Sequence, residues 1–459
     1  MSRRALALLA LVAGARLLAG EPLTLPEALR QTAGHSLQAD TAHFSVAASQ
    51  EESAQIKSLY YPEVKLEGGH LNLGHTPTLL SSPMSIGPIA LGNLTIGPLT
   101  VPSQGTALAD QASWRYKLSA QYLVYDWGRR DKALAASRAK DEAVALGGNA
   151  AVRRAQAETA ARYVALLNVK ARKQVVAQRR QTLEDHLRTV KELFEHGVVA
   201  RNDLLRTEVA LRAVNDADLA LDRAYASALE ALNVSMGLSP IAAQSLPDTL
   251  PPPPALPWDE AACRAKAVQS NDSVKALRAR LKATEEQLSF RRRDYGPNFV
   301  AEAAHTYEQN SHMLNANDNT LYLGLSWKIF DGGARASRIR QAQSEANQVR
   351  REAQDAERQA ENVAAAALRD VKQALQEEAT AQTNVAAALE NLRIVEDQYK
   401  EGLVKTTDTL DAESVLAESR FGAVDKRCRA YAQQAVLLTA LGEDLPAFFE
   451  TAPTHSTEK

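Results

Sequence analysis

Between Trp114 and Val124 apolar and polar residues alternate. Trp114, Tyr116, Leu118, Ala120, Tyr122 and Val124 hold one parity, and Arg115, Lys117, Ser119 and Gln121 hold the other. The same period of two returns where Leu321, Leu323, Leu325, Trp327 and Ile329 oppose Tyr322, Gly324, Ser326 and Lys328. Successive strand residues point to opposite faces, so each segment predicts a strand with one lipid-compatible face and one polar face. Each pattern covers about 10 residues, which suits a tilted transmembrane strand. Partner strands are predicted to begin at Val64 and Phe299, just after Pro62 and Pro297. A soluble sheet with one wet face gives the same alternation.

A second period follows each strand pair. Ala342, Ala346, Val349, Ala353, Ala356, Ala360, Val363 and Ala367 alternate spacings of four and three, the a/d seam of a coiled coil built from small residues. Ala136, Ala139, Ala143, Leu146 and Ala150 begin a similar seam, which Arg153 interrupts before Ala157, Ala160, Val164, Leu167 and Ala171 resume it. No proline lies between Pro102 and Pro240 or between Pro297 and Pro446. Each window therefore predicts one helix of roughly 70 residues, about 100 Å at 1.5 Å per residue. A turn follows, and then a returning helix of roughly 37 residues that ends at Gly237 or Gly442.

These elements recur at a constant offset of 205 residues. Asp126-Trp127-Gly128 returns as Asp331-Gly332-Gly333, and Gly197-Val198-Val199 as Gly402-Leu403-Val404. Asp203, Leu205, Glu208 and Gly237 return as Asp408, Leu410, Glu413 and Gly442. A repeat in fixed register indicates one duplicated unit. The expected organisation is a first repeat at 21–239, a proline-rich linker at 240–257 that is extended and exposed, a second repeat at 258–445, and a tail at 446–459. Each repeat reads as helix, strand pair, long helix and returning helix. The first repeat carries extra residues around Thr76 to Gln104, where Ile86-Gly87-Pro88 recurs as Ile96-Gly97-Pro98. Glycine and proline predict a long loop there instead of a regular strand.

The N-terminus reads as an export signal at 1–20, with Arg3-Arg4 before an apolar stretch from Ala5 to Ala15. Leu18-Ala19-Gly20 resembles a lipobox, but Glu21 stands where the lipidated cysteine belongs, so no lipid anchor is expected. Lys and Arg number 53 against 55 Asp and Glu, which gives no electrostatic case for nucleic acid. No later segment reaches the ~18 apolar residues of a membrane helix, so any crossing is by strands. Four strands cannot close a barrel, since small closed barrels need about eight. Open edges are not tolerated in lipid, so several chains must pool their strands. Cys263 and Cys428, in different halves, are expected to stay unpaired.

The duplicated plan, the turns Tyr125-Asp126-Trp127-Gly128 and Phe330-Asp331-Gly332-Gly333, and the two tips together resemble the TolC-like outer membrane efflux proteins over essentially the whole mature chain. The resemblance implies a mixed α and β membrane protein. Its trimer would form a 12-stranded outer-membrane β-barrel, four strands per chain, continued by an α-helical coiled-coil tunnel through the periplasm. It also implies a homotrimer in outer-membrane lipid, docking at the tips Gly197, Val198, Val199, Gly402, Leu403 and Val404 to a periplasmic adaptor, and an inner-membrane transporter beyond it. The cargo is open between small molecules or metals and, in a type I system, secreted protein. A periplasmic coiled-coil scaffold is the reading from another class, and it leaves the amphipathic strands unexplained.

Candidate site residues follow from the same motifs. Asp126 and Gly128, and Asp331, Gly332 and Gly333, turn a strand directly into a helix, with glycine supplying unusual backbone angles and aspartate capping the helix. Asp408 and Asp411 lie three apart on one helix face. The resemblance makes them stacked carboxylate rings at the periplasmic constriction, while Arg206 replaces Asp411 in the first repeat. Without it, Asp408 reads as a helix cap. The resemblance also assigns Tyr399 to a latch that bonds Asn202 and Asp203. Val404 occupies the position of the family's latch arginine, with Lys405 beside it. Neither a P-loop, a Gly-x-Gly-x-x-Gly nor a clustered Cys/His site is present, so no catalytic, cofactor or metal residue is expected. His70 and His305 hold equivalent strand positions and read as interfacial residues.

Overall fold

A computed structural model describes residues 22–91 and 94–451. The expected export signal lies outside the described residues. The helices are α1 (Leu25–His35), α2 (Leu37–Ser58), α3 (Arg129–Glu195), α4 (Arg201–Ser235), α5 (Glu260–Ser270), α6 (Asp272–Arg292), α7 (Ala334–Lys400), α8 (Thr406–Leu441) and α9 (Leu445–Thr451). The long strands are β1 (Glu63–Asn72), β8 (Ala112–Tyr125), β9 (Asn298–Glu308) and β10 (Asn317–Ser326). Between β1 and β8 lie β2 (Thr78–Leu80), β3 (Met84–Ile86), β4 (Ile89–Leu91), β5 (Leu94–Ile96), β6 (Leu99–Val101) and β7 (Gly105–Ala107). Among the described residues no helix is long and apolar enough to cross a membrane. The chain divides into two compact units.

One unit comprises Glu51–Arg138 and Ala283–Ala346. It holds an antiparallel sheet in the order β1-β8-β9-β10, so β1 and β10 are its edges. The register aligns the alternation across strands. Leu118 sits opposite Leu66 and His305, Ala120 opposite Val64 and Ala303, and Leu323 opposite Ala301. One face is therefore apolar, and it is exposed: Leu66 is 75% exposed, Leu321 75% and Leu323 73%. The other face carries the ion pairs Arg115–Glu308 at 2.6 Å and Lys117–Glu302 at 2.9 Å. His70 and His305 lie on the apolar face. The His70 ring stands 4.8 Å from Trp114, and His305 Nδ1 lies 2.8 Å from Asn319 Oδ1.

Thr76 to Gln104 departs from the expected loop. β2 pairs with β7, β3 with β6 and β4 with β5, all in one register. The segment is a single long hairpin with interruptions. Pro83 falls opposite Pro102, Pro88 opposite Gly97 and Gly87 opposite Pro98 in that register. Proline has no N–H to donate, so placing the breaks opposite one another confines the lost bonds to a few rungs. The β1–β8 ladder ends at Asn72 opposite Ala112, whereas Thr78 pairs with Ala107. Six steps on the first arm match five on the second, so the first arm holds one extra residue.

The other unit comprises the residues up to Gln50, Ala139–Lys282 and those from Asn347. Its largest core gathers Leu29 of α1, Tyr163, Leu166 and Leu167 of α3, Leu232 of α4, Leu438 of α8 and Leu445 of α9. Truncating one of these leucines to alanine costs about 2–5 kcal/mol. The expected single helix before each strand pair is two helices. Ser36 and Asn271 break them, because each side chain caps the helix that follows: Ser36 Oγ accepts from Ala39 N at 3.2 Å and Asn271 Oδ1 from Ser273 N at 2.9 Å. Gly237 and Gly442, at φ 75° and 70°, abut these breaks. A Cβ on Gly237 would lie 1.9 Å from the His35 carbonyl oxygen, and one on Gly442 2.3 Å from that of Ser270.

Three further expectations are corrected. The 240–257 linker is extended but bound. Its carbonyls accept from Lys170 at Leu246, Arg427 at Leu250, Tyr431 at Pro251 and Gln434 at Pro254. A proline run offers acceptors and few donors, and the helices supply the donors. The start of the C-terminal tail is helix α9, which stacks Phe448 on Trp258 and Phe449 on Tyr431. The α7 seam slips beyond Ala353: Val363 is 54% exposed and Ala364 fully buried, although Ala367 stays buried. Burial there follows the straight 3.6-residue period, which outruns a 3.5-residue repeat. Arg153, the break in the α3 seam, pairs with Asp272 at 2.9 Å. Cys263 and Cys428 are free and buried, and burial pushes the Cys428 thiol up to about 11.

Candidate functional site

The two helix tips are built alike. α3 ends at Gly197, φ 75°, with Val198 N donating to Leu193 O at 2.8 Å and Gly197 N to Phe194 O at 2.9 Å. α7 ends at Gly402, φ 76°, with Leu403 N donating to Gln398 O at 2.9 Å and Gly402 N to Tyr399 O at 3.0 Å. This paired closure needs a left-handed residue, which glycine adopts without a Cβ penalty. Val198 and Leu403 are 68% and 69% exposed, so each tip presents one apolar side chain to solvent. Val199 and Val404 are half-buried.

Asp408 opens α8. Its Oδ2 accepts from the Lys405 backbone N at 2.8 Å, so the helix-cap reading of Asp408 holds. The carboxylate remains exposed, as do Asp411 and, further along, Val415 and Glu418. Thr409, Ala412, Glu413, Leu416 and Ala417 form the buried stripe between them. One exposed face of α8 thus carries both carboxylates. At the other tip Asn202 and Arg206 are exposed and Asp203 is half-buried in the first turn of α4.

Tyr399 is buried, and its hydroxyl meets Thr406 Oγ1 at 3.2 Å, a bond inside the α7–α8 hairpin. Asn202 and Asp203, the partners that the resemblance supplies, stand at the start of α4. The Tyr399 ring packs 5.1 Å from His186 of α3. Burial pushes the His186 imidazole below its ordinary value, and its Nε2 has no hydrogen-bond partner among the described residues. Two turns along α8 from Thr406, Glu413 accepts from Arg179 at 2.8 Å. Burial lifts the Glu413 carboxyl and Arg179 opposes the lift. His186, Thr406 and Arg179 have no motif to mark them. Only proximity in the folded helices brings them to Tyr399 and Glu413.

The strand-to-helix turns belong to the sheet-bearing unit. Asp126 Oδ2 accepts from Arg130 N at 2.8 Å, and Asp331 Oδ2 from Arg335 N at 3.0 Å. Trp127 and Gly128 have φ of 56° and 66°, Gly332 and Gly333 66° and 84°. The glycine pair is the unstrained solution. Trp127 is a non-glycine residue in left-handed backbone, which costs of order 1–2 kcal/mol. Sequence reasoning missed the arginines that lock these turns. Arg130 donates to Leu59 O and lies 4.9 Å over Tyr60, while Arg335 donates to Ile329 O and lies 4.7 Å over Tyr295. The signal was available: Arg130 and Arg335 share the 205-residue offset.

Among the described residues no group of three or more His, Cys, Asp or Glu is placed to hold a metal. A model of the outer membrane efflux protein family matches residues 28–238 and 264–443. Protein CyaE of Bordetella pertussis is 25% identical over 200 residues, 42% of this chain. The matched stretch spans 41% of that protein's length. The outer membrane protein VceC of Vibrio cholerae superposes with a TM-score of 0.71 at 16% identity, covering 91% of this chain and 96% of that one. The open state of the MtrE outer membrane channel of Neisseria gonorrhoeae gives 0.72 at 17%, covering 91% and 89%. These likenesses carry the fold, and with the family match they place the protein in the outer membrane with a periplasmic portion. The chain belongs to the TolC-like outer membrane efflux protein family.

Proposed function

We propose that three copies of this chain pool their sheets into a 12-stranded outer-membrane barrel and serve as the exit duct of a tripartite efflux system. The observation that carries the reading is the four-stranded sheet. It has one apolar, exposed face and two unpaired edges, β1 and β10. Open edges do not persist in lipid, so β1 of one copy pairs with β10 of the next. Substrates pass through passively, driven by an inner-membrane transporter, and a periplasmic adaptor joins the two at the tips around Val198 and Leu403. Asp408 and Asp411 form paired carboxylate rings at the periplasmic constriction. Tyr399 and Lys405, with Asn202 and Asp203 of the facing hairpin, hold it shut. Purified protein in planar bilayers tests the proposal. A three-chain particle with discrete conductance steps is expected, and a monomer without conductance would refute it.

A further inference from the structure

We propose that His186 of α3 is a further residue of the latch. Its neutral ring joins the first helical hairpin to the second by packing on Tyr399, and a proton on that ring releases it. This deepens the gate reading above and rests on it.

The Tyr399 hydroxyl is used inside its own hairpin, where it meets Thr406 Oγ1 at 3.2 Å. What the first hairpin presents to Tyr399 is the His186 ring, tilted by 56° with the centroids 5.1 Å apart. Two turns away along α3, Arg179 pairs with Glu413 of α8 at 2.8 Å. The two hairpins are thus joined by an ion pair and a ring pair, and His186 is the side chain whose ordinary titration falls near neutral pH.

The ring is placed where a second proton is not accommodated. An imidazolium donates from both nitrogens, yet Nε2 is buried without a partner among the described residues. The pairs Arg179–Glu413 and Arg180–Asp218 fix the heights of α8 and α4 against α3, and so identify the charged groups level with the ring. They are Lys405 and Asp408 on α8, Glu396 and Lys400 on α7, Arg212 on α4, and Asp185 and Arg188 on α3 itself. Glu396 is half-buried and the others are exposed. Asp185 is already held by Arg188 at 3.0 Å. Burial alone depresses the imidazole, with no neighbouring charge acting on it. A charged ring needs water or an acceptor, and parting α3 from Tyr399 supplies water.

The packed seam therefore holds the His186 proton less tightly than the parted helices do. Acid favours parting, and the contact is complete above about pH 6.5 and weakens below it. Glu413 works the other way. Burial raises its carboxyl and Arg179 only partly offsets this, so a proton on Glu413 favours the packed seam. The other repeat lacks the device. At the 205-residue offset His186 returns as Asn391, and Tyr399 answers to Phe194. Neither titrates, so the response is confined to the seam of α3 with α7.

The test uses the full-length protein, with Cys263→Ala and Cys428→Ala removing the native thiols. Spin labels at Lys191→Cys and Gln398→Cys span α3 and α7, and labelled chains are diluted into unlabelled ones so that distances within one chain are read. From pH 7.5 to pH 5.5 the longer-distance population should rise at least about threefold in the parent and stay nearly constant in His186→Phe and His186→Gln. An equal rise in all three, or none in the parent, would overturn the inference. Planar-bilayer recordings read the gate. Because Asp408 and Asp411 are common to every variant, the measure is the parent's open time relative to His186→Phe, which should rise with acid. A distance change without that rise would overturn the latch role. Protein that conducts at no pH would remove the duct reading, and the distances would still decide whether His186 releases Tyr399.

Discussion

Asp408 caps a helix and, in the proposed constriction, supplies a ring charge with the same carboxylate. One oxygen caps α8, and the exposed group stands beside Asp411 on the bare helix face. Removing both charges should therefore separate the roles. Asp408→Ala with Asp411→Ala should raise single-channel conductance and weaken block by multivalent cations. Asp408→Asn, which keeps an acceptor for the Lys405 N–H, should lose the block with less loss of stability. Thermal melting and conductance of the two variants read this directly; unchanged block would sink the ring assignment.

His186 carries a pH prediction at the same scale. Its folded value is depressed by burial, so as pH falls the unfolded chain takes up the proton first. The stability held by the neutral ring is present above about pH 6.5 and drains away as pH drops below it. His186→Phe keeps the ring against Tyr399 and removes the proton. Its melting temperature should fall less between pH 7 and pH 5 than that of the parent protein. An identical fall in both would leave His186 without that role.

Among the elements, the glycine seats at the helix breaks are the least tolerant. Gly442→Ala meets both left-handed backbone and the Ser270 carbonyl, so a loss of more than about 2 kcal/mol is expected, visible as a lower denaturation midpoint. Gly422, with open space around it inside α8, is the control, and Gly422→Ala should be neutral or slightly stabilising. At the tips, Val198→Asp with Leu403→Asp should abolish co-purification with the proposed adaptor while leaving particle mass unchanged. Retained adaptor binding would remove these side chains from the docking surface.

The sequence was readable at this scale wherever one period dominated. The strands at 114–124 and 321–329, both long helices and both tips were legible, because alternation, absence of proline and paired glycines each point one way, although the second strand ends at Ser326, short of Trp327 and Ile329. Two kinds of feature were not. The hairpin at 78–107 was hidden because Gly and Pro normally end strands, and only the pairing shows that they fall opposite one another. The second-helix starts at Leu37 and Asp272 were hidden because Ser36 and Asn271 look like ordinary helix residues until Gly237 and Gly442 arrive beside them. In the candidate site, the carboxylates and Tyr399 came from family resemblance. His186 and Arg179 had no such guide.

At the scale of the molecule, the sheet's two faces set where charge is tolerated. Leu323→Arg on the apolar face should cost about 2–4 kcal/mol at mid-membrane depth and deplete the protein from the outer-membrane fraction. Gln121→Arg on the opposite face should fractionate like the parent chain. Equal behaviour of the two would argue against lipid contact.

The glycine seat of α8 has a mechanical consequence. Helix α8 is held at Gly442 and carries Asp408 near its other end, 36 helical residues in all. At 1.5 Å per residue that is a lever of about 54 Å. A tilt of about 5° at the Gly442 pivot displaces the far end by about 5 Å, one turn of helix. In the proposed duct, a contact with no slack at one end thus magnifies a small tilt of the whole α7–α8 hairpin into several ångströms at the carboxylates.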